Sequence, residues 1–123
     1  MSIRTERVAG EIQKALADIF MREFSHLYEG LLTVTVVRIT PDLRHCRVYL
    51  SIIARGSTPR EQMIHNIEKE TPHIRAALAR AVRLRFVPEL RFFLDDTQDE
   101  VDRISYLFQE IHRRERNDDN GGE

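Results

Sequence analysis

Residues 58–94 read TPREQMIHNIEKETPHIRAALARAVRLRFVPELRFFL, and the order of elements in this stretch sets the topology. Thr58-Pro59-Arg60-Glu61 has the form of a helix start, with Thr as N-cap, Pro in the first turn and Glu three residues after the cap. Met63, Ile64 and Ile67 give that helix one apolar side. Thr71-Pro72 then interrupts it, because the proline ring removes a backbone donor and disfavours helical geometry at Thr71. A second helix starts there with Thr71 as its cap. The spacing of Ile74, Ala77, Leu78, Ala81 and Val82 predicts that it runs to about Leu84. Val87-Pro88 ends the helical stretch, and Leu90 and Phe92 alternate with Arg91 and Phe93 as a strand.

Upstream of this stretch, residues 31–39 are β-branched and strand-like, but their alternation slips. Leu32 and Val34 share one phase while Val37 and Ile39 take the other, so one extra residue near Val36 predicts a β-bulge. Thr40-Pro41-Asp42-Leu43 is a turn with Pro in its favoured place. Arg44 to Ile53 then alternates cleanly, Cys46, Val48, Leu50 and Ile52 inward and His45, Arg47, Tyr49 and Ser51 outward, which completes an antiparallel hairpin. Residues 3–24 form a first helix on the stripe Val8, Ile12, Ala15, Leu16, Ile19 and Phe20, with Gly10 as a small local cost, and Glu29-Gly30 breaks the chain after it. Val101, Ile104, Leu107, Phe108 and Ile111 space a more acidic C-terminal helix. The class is therefore α+β, one domain over residues 1–112 with a three-stranded sheet covered by helices on one face. Residues 113–123 are polar enough to be read as a disordered acidic tail.

Composition narrows the function classes. At 123 residues and 41 % apolar, the chain has enough for one modest core. Its longest apolar run is four residues, far short of the 18 or so that a spanning helix needs. No secretory leader fits the N-terminus, and a single cysteine, Cys46, excludes an internal disulfide, so a cytoplasmic protein is expected. The net charge of −1 hides an asymmetry: residues 1–91 hold 15 Lys and Arg against 10 Asp and Glu, and residues 92–123 hold 4 against 10. Of the 19 cations 17 are Arg, whose planar fork pairs two-pronged with phosphate.

On the helix read from Thr71 to Leu84, Arg75, Arg80 and Arg83 span an arc of about 140° opposite the apolar stripe. Arg85 follows at its end. An anchored guanidinium face suits phosphate contact; the competing reading is a solvated set that pairs with Glu68, Glu70 and Asp95. The five histidines, His26, His45, His65, His73 and His112, show no metal-ligand spacing, and Asp95-Asp96 with Asp99 and Glu100 lacks the pattern of a calcium loop. No phosphate-loop or nucleophile-elbow motif occurs, so neither catalysis, cofactor nor metal is expected.

Three strings carry a family resemblance. They are Arg4-Thr5-Glu6-Arg7-Val8 with Glu11-Ile12-Gln13; Val34-Thr35, Pro41-Asp42-Leu43 and Arg47-Val48-Tyr49; and Ile74-Arg75, Leu78, Leu84-Arg85, Val87-Pro88-Glu89-Leu90, Phe92 and Asp95. Over about residues 3–111 the chain resembles the bacterial ribosome-binding factor A family. The resemblance implies a type II KH-like fold (α-β-β-α-kink-α-β) without the Gly-x-x-Gly loop of ordinary KH domains. It further implies a non-enzymatic factor, monomeric when free, that binds the small (30S) ribosomal subunit and its 16S rRNA. Such a factor promotes late maturation and 16S rRNA processing, and matters most for growth in the cold. The family's kink is typically Ala-x-Gly; here it is Glu70-Thr71-Pro72, and a carboxylate at that joint would repel phosphate. RNA contact is therefore expected on Arg75, Arg80, Arg83 and Arg85, with Arg4 and Arg7, while Thr71 and Pro72 make the kink. The alternative is a protein–protein adaptor that uses the outward sheet face, with Tyr49 and Phe93.

Overall fold

A computed structural model describes residues 3–95. The elements are α1 (Ile3–Glu23), a 3-10 turn (Ser25–Leu27), β1 (Gly30–Ile39), β2 (His45–Ala54), α2 (Arg60–Lys69), α3 (Thr71–Ala81) and β3 (Glu89–Leu94). The expected C-terminal helix and acidic tail lie outside the described residues. The sheet order is β1-β2-β3, with β1 and β2 antiparallel and β2 and β3 parallel. A parallel partner needs a long crossover, and α2 and α3 supply it. The three helices of the described residues cover one sheet face. Ile12, Leu16 and Phe20 of α1, Val48 and Leu50 of β2, Ile67, Ile74 and Leu78 of α2 and α3, and Phe92 of β3 are all buried. The Phe20 ring meets Phe92 edge-on at 5.9 Å and Phe24 at 6.5 Å, a favoured aromatic geometry.

The predicted bulge is present. Val34 pairs with Leu50 and Val36 with Tyr49, so Thr35 is the extra residue, and Val34, Val37 and Ile39 all face the core. A bulge leaves backbone groups without ladder partners, and α1 satisfies them: Gln13 Nε2 donates to the carbonyls of Val34 at 2.9 Å and Thr35 at 3.3 Å. The Thr35 hydroxyl donates to Asp95 Oδ2 at 2.6 Å and so ties the end of β3 to the bulge. In the hairpin turn, Leu43 N donates to Thr40 O at 2.8 Å and Leu43 takes φ 61°. Asp42 Oδ1 accepts from Thr40 Oγ1 at 2.5 Å and from Arg44 N at 3.1 Å. The Thr40 hydroxyl first, and then the Arg44 N–H, hold its carboxyl below the usual carboxylate range.

Three expectations need correction. Thr58 does not cap α2: its hydroxyl donates to Glu29 Oε1 at 3.0 Å, and Pro59 takes the cap position without a side-chain bond. Thr71 does not cap α3 either. It is the first helical residue, and Glu70 alone separates the two helices, at φ −95°, ψ 9°. That near-helical geometry lets Ile74 N bond Glu70 O at 3.0 Å, so the extended backbone of an N-cap is never adopted. The break between the two helices falls at Glu70, immediately before Thr71-Pro72. Finally, α3 stops at Ala81, with Val82 already extended at φ −129°, ψ 136°. From there Val82 and Leu84 pack against the core while Arg83 and Arg85 stay exposed, a period of two, not of 3.6. Ala81, expected in the stripe, is exposed.

Candidate nucleic-acid interface

The early end of α3 divides the expected arginine face into three different environments. Arg75, on α3, turns its guanidinium inward: Nη2 donates to Val87 O at 2.7 Å and Nε to Pro88 O at 3.1 Å. It is a clamp on the chain that leads into β3. Arg80, one residue before the end of α3, pairs with Glu23 of α1 at 3.3 Å, and the Arg80 side chain is 67 % exposed. At that exposure the pair contributes little to stability. Arg83 and Arg85 sit on the irregular segment between α3 and β3, both exposed.

Those last two are brought together with Arg4. One cleft of about 310 Å³ is lined by Arg4 of α1, Arg44 at the hairpin turn, and Arg83, Leu84, Arg85 and Phe86 of the segment between α3 and β3. Pro88 and Ile39 contribute to its floor, and Asp42 is its carboxylate. Four guanidinium groups against one acid make a strongly positive recess. Phe86 is 64 % exposed, and the Arg85 guanidinium carbon lies 5.6 Å from its ring centre, within cation–π range. Forked donors beside an open aromatic face suit phosphate oxygens and a neighbouring base. Arg7 is exposed on α1 but is not among the residues that line this cleft. Arg75 and Arg44 border an adjoining hollow with Phe86 and Val87, so the Arg75 clamp holds the wall of the site.

Two members of the cleft escape a reading of the sequence alone. Arg44 belongs to the hairpin turn, where a charge reads as solvated, and only the fold brings it beside residues 83–86. The Asp42 carboxylate accepts the Arg44 N–H and fixes the backbone there. Phe86 lies between Arg85 and Val87 with no periodic partner. At the kink, Glu70 Oε2 lies 2.8 Å from His73 Nδ1, so its carboxylate is engaged within α3's first turn. Cys46 is the core residue that strand alternation predicts: it is 1 % exposed, and burial pushes its thiol up to about 12. Among the described residues, no group of three or more His, Cys, Asp or Glu side chains could share a metal ion. No helix among them is long and apolar enough to cross a membrane.

The family model described as ribosome-binding factor A matches residues 4–108. A ribosome-binding factor A from Natranaerobius thermophilus is 36 % identical over 115 residues, covering 94 % of this chain and 87 % of that protein. The crystal structure of ribosome-binding factor A from Thermus thermophilus superposes with a TM-score of 0.60 at 27 % identity, over 73 % of this chain and 94 % of that one. A homology model of the Thermus thermophilus factor, fitted into the cryo-EM map of a 30S complex, superposes with a TM-score of 0.57 at 30 % identity, over 71 % and 90 %.

Proposed function

The chain belongs to the ribosome-binding factor A family, and from that we propose that it is an assembly factor that binds the small ribosomal subunit and its 16S rRNA. The observation that carries the reading is the convergence of Arg4, Arg44, Arg83 and Arg85 with the exposed Phe86 around one cleft. These four cations come from three separate parts of the chain, and folding costs electrostatic work to bring them together, which an anionic partner repays. The related Thermus thermophilus factor fitted into a 30S complex supports the choice of partner.

We infer that the cleft grips rRNA phosphates while the buried sheet and helix faces keep the guanidinium groups in place. Rigid placement reduces the ordering cost of binding. The factor holds late precursor rRNA in a maturing arrangement, promotes 16S rRNA processing, and leaves; in keeping with the family resemblance, its contribution is greatest in the cold. It acts in the cytoplasm, as a monomer when free, by binding and not by catalysis. Gradient sedimentation tests this. The tagged chain is expected with small subunits and their precursors and absent from large subunits, whereas a chain that stays at the top of the gradient at low salt rules the proposal out.

A further inference from the structure

The sheet face that the helices among the described residues leave uncovered carries a second pattern. Arg38 of β1, Arg47 of β2 and Arg91 of β3 occupy one register row across all three strands. Directly opposed like charges destabilise a sheet, and here the repulsion runs through three strands. Glu89, at the edge, lies 3.6 Å from Arg91 Nε and 3.5 Å from His45 Nδ1. Among the described residues no carboxylate pairs with Arg38 or Arg47. The three arginines border a shallow basin of about 410 Å³. In the adjoining row Tyr49 faces Phe93, with ring centres 5.4 Å apart and planes inclined by 27°. Phe93 is 39 % exposed, and Tyr49 is half-buried.

We propose that this open sheet face is a platform for unpaired RNA, with bases extending the Tyr49–Phe93 stack and phosphates lying on the Arg38–Arg47–Arg91 row. The inference rests on the reading of the chain as an RNA-binding factor and adds the form of RNA it takes. Charge decides the occupant. A protein partner docking on the aromatic pair would have to bury three guanidinium groups or neutralise them, whereas a single strand supplies a phosphate for each base that it stacks. A duplex fits poorly, because its bases are already stacked and cannot lie on the rings. Both basic surfaces border Ile39, at the end of β1.

The test uses the full chain, a labelled oligouridine octamer and a blunt RNA duplex of eight base pairs, followed by fluorescence anisotropy across a salt series. The single strand is expected to bind about tenfold more tightly than the duplex. Tyr49→Leu with Phe93→Leu keeps apolar area but removes the ring faces, and is expected to cost about tenfold or more in single-strand affinity. Arg47→Gln removes the centre of the charged row. It is expected to raise the melting temperature slightly while flattening the log–log salt slope by about 0.7, a pairing that a merely structural role does not produce. Equal affinity for both RNAs overturns the proposal, as does an unchanged single-strand affinity in either variant. Small-subunit sedimentation of the unmodified chain is read separately. If oligomer binding behaves as expected while sedimentation fails, the ribosomal reading falls and the platform stands; the converse overturns the platform alone.

Discussion

Replacing Arg75 by Met should unsettle the fold, although the residue belongs to an arginine-rich helix that reads as a binding face. Its guanidinium donates to Val87 O at 2.7 Å and to Pro88 O at 3.1 Å, and Pro88 is fully buried. Hydrogen bonds from a charged donor contribute about 1.5–3 kcal/mol each, and an acceptor left unpaired away from water costs about 1–3 kcal/mol. The two bonds share one side chain and are not additive, so the expected loss is about 2–4 kcal/mol. For a domain of about 100 residues, each kcal/mol moves the melting temperature by about 4 °C, which gives a fall of about 8–16 °C. Arg75→Lys retains one donor group and should recover about half of that. The matched control is Arg80→Met, whose exposed pair with Glu23 should cost no more than about 0.5 kcal/mol. Urea unfolding with an unchanged m-value measures both. Because Arg75 holds the wall of the cleft, Arg75→Met should also weaken subunit binding at temperatures where the protein remains folded. If Arg75→Met costs no more than Arg80→Met, the clamp does not exist in solution.

Two glycines should respond with opposite signs. Gly30 has φ +118°, and a Cβ there would collide with the Ile53 carbonyl oxygen, so Gly30→Ala should lose more than about 2 kcal/mol; Gly10, in α1 with nothing within 4 Å of an added methyl group, should gain about 0.5–1 kcal/mol as Ala, both by urea unfolding. Burial raises the Cys46 thiol from 9.0 to about 12. The unfolded chain then loses that proton near 9 while the folded chain keeps it, so stability should fall by about 1.4 kcal/mol per pH unit between 9 and 12; thermal melts of the parent and Cys46→Ala isolate this slope, which the variant should lack. Pro72→Ala restores the missing backbone N–H and should merge α2 and α3 into one helix, with weaker subunit binding and an unchanged melting transition, read by sedimentation and circular dichroism.

Most of the scaffold was legible because it follows from local periodicity. The phase slip between Val34 and Val37 disclosed the bulge, since one sheet face takes every second strand residue and a change of phase needs one extra residue. The break between α2 and α3, at Glu70, was legible from the neighbouring Pro72, because proline cannot donate a backbone hydrogen bond. The caps at Thr58 and Thr71 were misread for one reason: both hydroxyls sit where a cap belongs in sequence, but Glu29 competes for the first, and near-helical geometry at Glu70 pre-empts the second. The end of α3 was missed because Ala81 and Val82 fit a helical stripe as well as Val82 and Leu84 fit a strand-like alternation. Arg83-Leu84-Arg85 belonged to the second pattern. The cleft was legible only in part: Arg4, Arg83 and Arg85 stood out by charge, but Arg44 comes from another turn of the chain. No spacing rule links residue 44 to residue 85 before the fold is known.

The proposed function turns on Arg83 and Arg85, the two cations on the segment after α3 that we propose contact rRNA phosphates of the small subunit. Their decisive test is the salt dependence of subunit binding by Arg83→Glu combined with Arg85→Glu. Both side chains are exposed, so stability should change by no more than about 1 kcal/mol. Each lost phosphate contact should remove about 0.9 from the slope of log affinity against log salt on duplex-like RNA, and the affinity at low salt should fall by more than about tenfold. Glu61→Gln, on the exposed side of α2, should leave the slope as it is. A native melting curve together with a slope flattened by about 1.8 is the expected result; binding as tight as the parent's, with the parent's slope, would overturn the assignment of the cleft.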